Sequence, residues 1–170
     1  MKQIILALLI TGTAVISAGC SNSNAAEDET KKARSASVTE EINNKSSVIQ
    51  LTREEFLSKV YNYEENSENW IYEGDKPCIV DFYADWCQPC KIAAPILEDL
   101  AQKYEGGINV YKVDTEKERA LAGAFGIRSI PTFLLCPMDG LPQTLIGVGQ
   151  TEEATRDMFE KAIEDVLLTK

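Results

Sequence analysis

The sequence predicts an α/β domain over residues 48–170, with a central mixed sheet and helices on both faces. Apolar runs of strand length alternate with segments of helical period. One run, Cys78-Ile79-Val80-Asp81-Phe82-Tyr83, is nearly continuous, as in a strand covered on both faces. Two short strands around a Gly-containing turn, then an amphipathic segment, close the chain.

Val48-Ile49-Gln50-Leu51 reads as a short first strand. Thr52-Arg53-Glu54-Glu55 has capping-box spacing and opens a helix carrying Phe56, Leu57 and Val60. Lys76-Pro77 breaks the chain before the strand over 78–83. A helix follows from about Cys90 to Tyr104, with Ile92, Ile96, Leu97, Leu100 and Ala101 as its apolar stripe. Pro95 lies inside it and should kink it, because a proline has no N–H for the preceding turn. Ile108 to Val113 is the next strand, and Glu116 to Ala124 is helical, ended by Gly126. Thr132 to Cys136, the turn Met138-Asp139-Gly140 and Thr144 to Val148 form a hairpin. Glu152 to Leu168 is a final helix with Met158, Phe159, Ala162, Ile163 and Val166 on one face. The order β-α-β-α-β-α-β-β-α, with no internal repeat and a terminal hairpin, gives a mixed sheet with helices on both faces.

The chain has 170 residues, 17 basic against 27 acidic, for a formal charge of −10. That balance argues against nucleic-acid binding, which needs Lys and Arg on phosphates. Histidine is absent, which excludes Ser-His-Asp and Cys-His catalysis, histidine-ligated zinc and the haem-attachment motif. Proton transfer near neutral pH must then use a carboxylate, a lysine or a cysteine with a shifted pKa. The five cysteines are Cys20, Cys78, Cys87, Cys90 and Cys136, an odd and irregular set unlike a disulfide-stapled miniprotein.

Residues 1–19 read as a secretory signal: Lys2, an apolar run from Ile4 to Ile10 that continues weakly to Ile16, then small residues. The run is too short and interrupted for a spanning helix, which needs about 20 apolar residues. Ala18-Gly19-Cys20 resembles the lipobox of bacterial lipoproteins, with Ser17 where Leu is usual. That resemblance implies cleavage before Cys20 and its lipidation, hence a membrane anchor on the envelope, facing the periplasm. The stretch 20–47 is polar and free of aromatics, and is expected to be a flexible tether.

Trp86-Cys87-Gln88-Pro89-Cys90-Lys91 joins the buried strand to the long helix. There the Cys87 sulfur meets unpaired N–H groups and the positive end of a helix dipole, which lowers a thiol pKa. Cys90 sits one turn on, within disulfide reach, and Pro89 suits a first turn that needs no N–H from it. A zinc pair is the competing reading, but Cys78 and Cys136 could complete four ligands only awkwardly across the sheet. Those two cysteines are expected as small buried hydrophobes, with a second, regulatory disulfide between neighbouring antiparallel strands as the alternative.

The segment Val80 to Lys91 closely resembles the active-site segment of thioredoxins. The resemblance runs on through Ala94-Pro95-Ile96-Leu97, Tyr111-Lys112-Val113-Asp114 and Phe125 to Thr132, and covers about residues 48–170. It implies the thioredoxin fold and a thiol–disulfide oxidoreductase acting on protein disulfides. It implies no cofactor and no metal beyond the Cys87–Cys90 disulfide, a separate thiol electron donor and a monomer. By the same resemblance Cys87 is the attacking thiolate and Cys90 the resolving thiol. Asp81 is the buried acid that assists Cys90, and Lys112 is the lysine that approaches it. Pro131 is a cis-proline facing the disulfide, with Ile130 before it offering backbone hydrogen bonds to substrate. Trp86 flanks the site, as does Tyr83, where the family more often has Trp. A carboxylate in an apolar strand should have a raised pKa unless Lys112 offsets it. Thioredoxins usually have Gly where Gln88 stands. Gln88 could donate to the thiolate and, with Pro89, tune the couple above the potential of about −270 mV typical of the family. Other readings are a net disulfide-forming oxidant, a reductant for cytochrome c maturation, and a thioredoxin-fold adaptor without turnover.

Overall fold

The computed structural model describes residues 46–169. The signal expected over 1–19, Cys20 and the tether up to residue 45 lie outside the described residues. Among those described, no helix is long and apolar enough to cross a membrane.

The elements are β1 (Val48–Gln50), α1 (Arg53–Lys59), β2 (Cys78–Tyr83), α2 (Gln88–Lys103), β3 (Asn109–Asp114), α3 (Arg119–Ala124), β4 (Thr132–Cys136), β5 (Gln143–Ile146) and α4 (Glu152–Ala162). A π-helical turn, Ile163–Leu167, extends α4. The five strands form one sheet in the order β1-β3-β2-β4-β5. β1 and β2 flank β3 in parallel, while β2–β4 and β4–β5 are antiparallel. This is the thioredoxin fold, a central mixed sheet flanked by helices.

Strand pleating assigns the two faces. Ile79, Val110, Phe133 and Leu135 point to α2 and α4 and pack with Leu97, Leu100, Phe159 and Ile163. Val80, Phe82, Val113 and Leu134 point to the other face, with Phe56, Val60 and Leu121. Asp81, between Val80 and Phe82, therefore faces the α2 side.

The capping box forms as spaced: the Glu55 N–H donates to Thr52 Oγ1 at 3.3 Å and the Thr52 N–H to Glu55 Oε2 at 3.0 Å. Ser46 and Ser47, the end of the stretch read as tether, are held by Glu98 of α2, which accepts from the Ser46 hydroxyl and the Ser47 N–H. α2 runs through Pro95 as one element, with that proline exposed. α3 begins at Arg119, later than Glu116, because Asp114 Oδ1 accepts from the Glu116 N–H at 2.9 Å and makes a turn there. β5 stops at Ile146 and not Val148, since Gly147 turns the chain with φ of 79°.

The connection over residues 60–77 carries an aromatic cluster that the periodicities do not reveal. Trp70 lies on Tyr61 at 4.4 Å between ring centroids, and Phe125 meets Phe56 edge-on at 5.1 Å. The tyrosines and tryptophan of this connection thereby cover the α1–α3 face.

Candidate active site

β2 ends at Tyr83, and Ala84 to Cys87 turns the chain into α2. The Cys87 N–H donates to the Ala84 carbonyl at 3.1 Å, which fixes this turn. Cys87 is the N-cap of α2, and its sulfur accepts from the Cys90 N–H at 3.2 Å. A sulfur in that position meets the same donors that would stabilise a thiolate. Pro89 lies in the first turn, where its missing N–H costs nothing. Cys87 and Cys90 are joined in a disulfide, with Cα atoms 5.3 Å apart. Both residues are almost fully covered, whereas Gln88 and Pro89 between them are exposed. The Gln88 amide makes no hydrogen bond to either sulfur among the described residues in this oxidised form.

Trp86 stands beside the disulfide with 65% of its surface exposed. The Ile130–Pro131 peptide bond is cis. Two bonds hold this loop: the Thr132 hydroxyl donates to the Ser129 carbonyl at 2.7 Å, and the Gly147 N–H donates to the Pro131 carbonyl at 2.9 Å. Neither the N–H nor the C=O of Ile130 has a backbone partner among the described residues. Their edge is left to a visiting strand.

Behind the disulfide, a cleft of about 190 Å³ is lined by Asp81, Tyr83, Asp85, Cys90, Lys91 and Lys112. Sheet register builds its floor. Gln50, Lys112 and Asp81 form one row across β1, β3 and β2, and Tyr83 follows Asp81 on the same face. Asp81 is 4% exposed and its Oδ1 has no hydrogen-bond partner. Burial pushes its carboxyl up to about 7, while the Lys112 ammonium pulls it back part of the way. Lys112 is half-buried, and its Nζ lies 6.0 Å from the centre of the Tyr83 ring. The Tyr83 hydroxyl donates to Gln50 Oε1 at 2.9 Å, which ties the mouth of the cleft to β1. Asp85 and Lys91 belong to this cleft although neither was singled out from the sequence. Their signal was adjacency to the cysteine pair, and Lys91 lies one helical turn after Cys87.

Cys90, Asp81 and Lys112 line this cleft, Cys87 is bonded to Cys90 with Trp86 just before it, and the pairing of Phe82 with Thr132 sets Ile130 and Pro131 at the carboxyl end of β2. Cys78 and Cys136 are at the other end of that strand, so the four cysteines of the domain do not converge. Chemically, the site can hold a reactive sulfur at a helix tip, a second sulfur beside it and a carboxyl that titrates near neutrality.

The sequence profile of the thioredoxin family matches residues 47–161. A thioredoxin of Borreliella burgdorferi is 47% identical over 117 residues, spanning 69% of this chain and 95% of that protein. A chloroplastic M-type thioredoxin of Brassica napus is 42% identical over 89 residues, 52% of this chain and 50% of that one. A thioredoxin of Porphyra purpurea is 36% identical over 101 residues, 59% of this chain and 84% of that one. With the disulfide, its helix and its sheet in this geometry, the chain belongs to the thioredoxin family and is a thiol–disulfide oxidoreductase that acts on protein disulfides through its own redox-active disulfide, without an external cofactor.

Proposed function

We propose that this chain is a protein disulfide reductase anchored to the bacterial cell envelope, in which Cys87 attacks and Cys90 resolves. The observation that supports this most is the Cys87–Cys90 disulfide at the tip of α2, backed by a cleft that Cys90 shares with Asp81. In the reduced protein the Cys90 N–H and the helix dipole hold Cys87 as thiolate. That thiolate attacks one sulfur of a substrate disulfide, forming a mixed disulfide and releasing the other sulfur, which takes up a proton. The Cys90 thiol gives its proton to the Asp81 carboxylate and attacks the Cys87 sulfur. The second substrate sulfur leaves, and Cys87–Cys90 is closed. Two electrons have passed to substrate, and a thiol donor, such as a membrane thiol relay, returns them.

Ile130 supplies backbone hydrogen bonds to the substrate strand, with Pro131 and Trp86 as the apolar surface beside it. Lys112 restrains the carboxyl so that Asp81 titrates near 7 and not higher. Cys87→Ser should abolish insulin reduction. Cys90→Ser should accumulate mixed disulfides visible on non-reducing gels. Full turnover by either variant contradicts the scheme.

The envelope reading rests on the apolar start of the chain and on Ala18-Gly19-Cys20. Cleavage before Cys20 and its acylation leave the domain on a tether facing the periplasm. Cys20→Ser should move the protein from the membrane to the soluble fraction and remove metabolic fatty-acid label. Unchanged fractionation and labelling would exclude the anchor.

A further inference from the structure

At the end of the sheet away from the active site, two thiols face each other. Cys78 of β2 and Cys136 of β4 are directly opposed in the antiparallel register, and both are free and fully buried. Residues opposed in this way have Cα atoms about 4.5 or 5.5 Å apart, depending on which ladder position they occupy. Both separations lie inside the range of about 4.4–6.8 Å that a disulfide spans. The two side chains share the α1–α3 face with Val80, Tyr111 and Leu134. Tyr72, from the aromatic connection, packs against the same cluster, and its hydroxyl donates to the Lys76 carbonyl. Gly74 makes room for that ring, since a Cβ there would come within 2.3 Å of the Tyr72 hydroxyl oxygen.

We propose that Cys78 and Cys136 are a second redox site, a cross-strand dithiol that low-molecular-weight disulfides oxidise to cystine during folding, before the connection carrying Tyr72 closes over it. One thiolate attacks the small disulfide, takes one half as a mixed disulfide and releases the other half as a thiol. The second cysteine then attacks the protein sulfur, Cys78–Cys136 closes, and the remaining half leaves as a thiol. Two electrons and two protons pass from the protein to the small disulfide.

Timing follows from burial. Contact with Cys78 and desolvation hold the Cys136 thiol well above its ordinary range, and only a thiolate attacks. The closed fold therefore protects whichever state it encloses. Nor can the active site reach the pair. Cys78 and Tyr83 stand at opposite ends of β2, about 17 Å apart at 3.3 Å per residue. The domain thus holds two couples of different character, one exchanging at the tip of α2 and one locked by folding.

The test is peptide mapping of the full wild-type chain. Reduced, denatured protein is refolded in a buffer containing oxidised glutathione, quenched by alkylation and digested without reductant. A linked Cys78–Cys136 peptide should appear in most molecules, beside the Cys87–Cys90 link. Folded, reduced protein in the same buffer should acquire Cys87–Cys90 at least tenfold faster than Cys78–Cys136. Tyr72→Ala should accelerate the second link at least tenfold in the folded protein. If refolded wild-type chains carry Cys87–Cys90 and yet keep Cys78 and Cys136 alkylated, the pair is packing alone and the proposal is wrong.

Discussion

At Asp81 a carboxyl is held where water cannot solvate its charge. Its ordinary value of 3.8 rises to about 7 because burial penalises the ionised form more than Lys112 rewards it. The folded state therefore binds this proton more tightly than the unfolded chain. Between about pH 4 and pH 7 the folded state retains a proton that the unfolded chain gives up, so this residue's contribution to stability falls as pH rises. Below that window both states are protonated and nothing is lost. Above it the buried charge costs the fold its full amount. Asp81→Asn should thus stabilise the protein by about 2–4 kcal/mol at pH 8 and hardly at all at pH 4, as read by urea denaturation. The same substitution should slow resolution of the mixed disulfide by about a hundredfold at pH 8 and remove the rise in rate through pH 7. Gln88 makes a different prediction. It is exposed in the first turn of α2, beside the sulfur that becomes a thiolate. If its amide stabilises that thiolate, Gln88→Gly should make the couple more reducing by on the order of 30 mV against glutathione. An unchanged potential would remove Gln88 from the tuning of the site and, with it, the observation that favours a net oxidant.

Elements follow local rules that hold wherever the chain supplies its own partners. Thr52 and Glu55 cap α1 reciprocally, so Thr52→Ala should cost about 1 kcal/mol in denaturation experiments, with no loss of insulin reduction by the folded protein. α3 and β5 depart from their expected bounds for reasons just as local, the Asp114 turn and the positive φ of Gly147. Hydrophobic periodicity reports which residues face a core, and it is silent about a side chain that intercepts backbone donors. The order of the strands and α-helices could therefore be read from the chain, while the ends of α3 and β5 were set by a single hydrogen bond or dihedral and the π-helical turn after α4 was not foreseen. The connection over 60–77 was legible only as a break. Its aromatic residues have no period, and their packing on Phe125 depends on α3 being brought over α1.

On the scale of the whole molecule, two apolar clusters clamp the sheet and place its carboxyl end at the disulfide. Phe159 of α4 is fully buried and meets Phe133 of β4 edge-on at 4.7 Å. Phe159→Ala should lower stability by about 3–5 kcal/mol, measured by denaturant midpoint, through lost contacts and the cavity left behind. The cysteine pair and its helix tip are a short-range arrangement, so spacing already pointed to a low-pKa thiol within disulfide reach of a second, while the attacking and resolving roles came from the resemblance to thioredoxins. Asp81 in a covered strand was equally readable as a carboxyl with a raised pKa. Chain order likewise dictated the alternation of strands and helices, because periodicity and capping are properties of neighbours. Other features came from contacts between residues far apart along the chain: the row of Gln50, Lys112 and Asp81, the loop holding Ile130 beside Gly147, and the facing of Cys78 with Cys136. Those depend on which strands become neighbours and in what register. Packing of the two faces settles that choice, since a slip of one residue would turn every buried side chain outward.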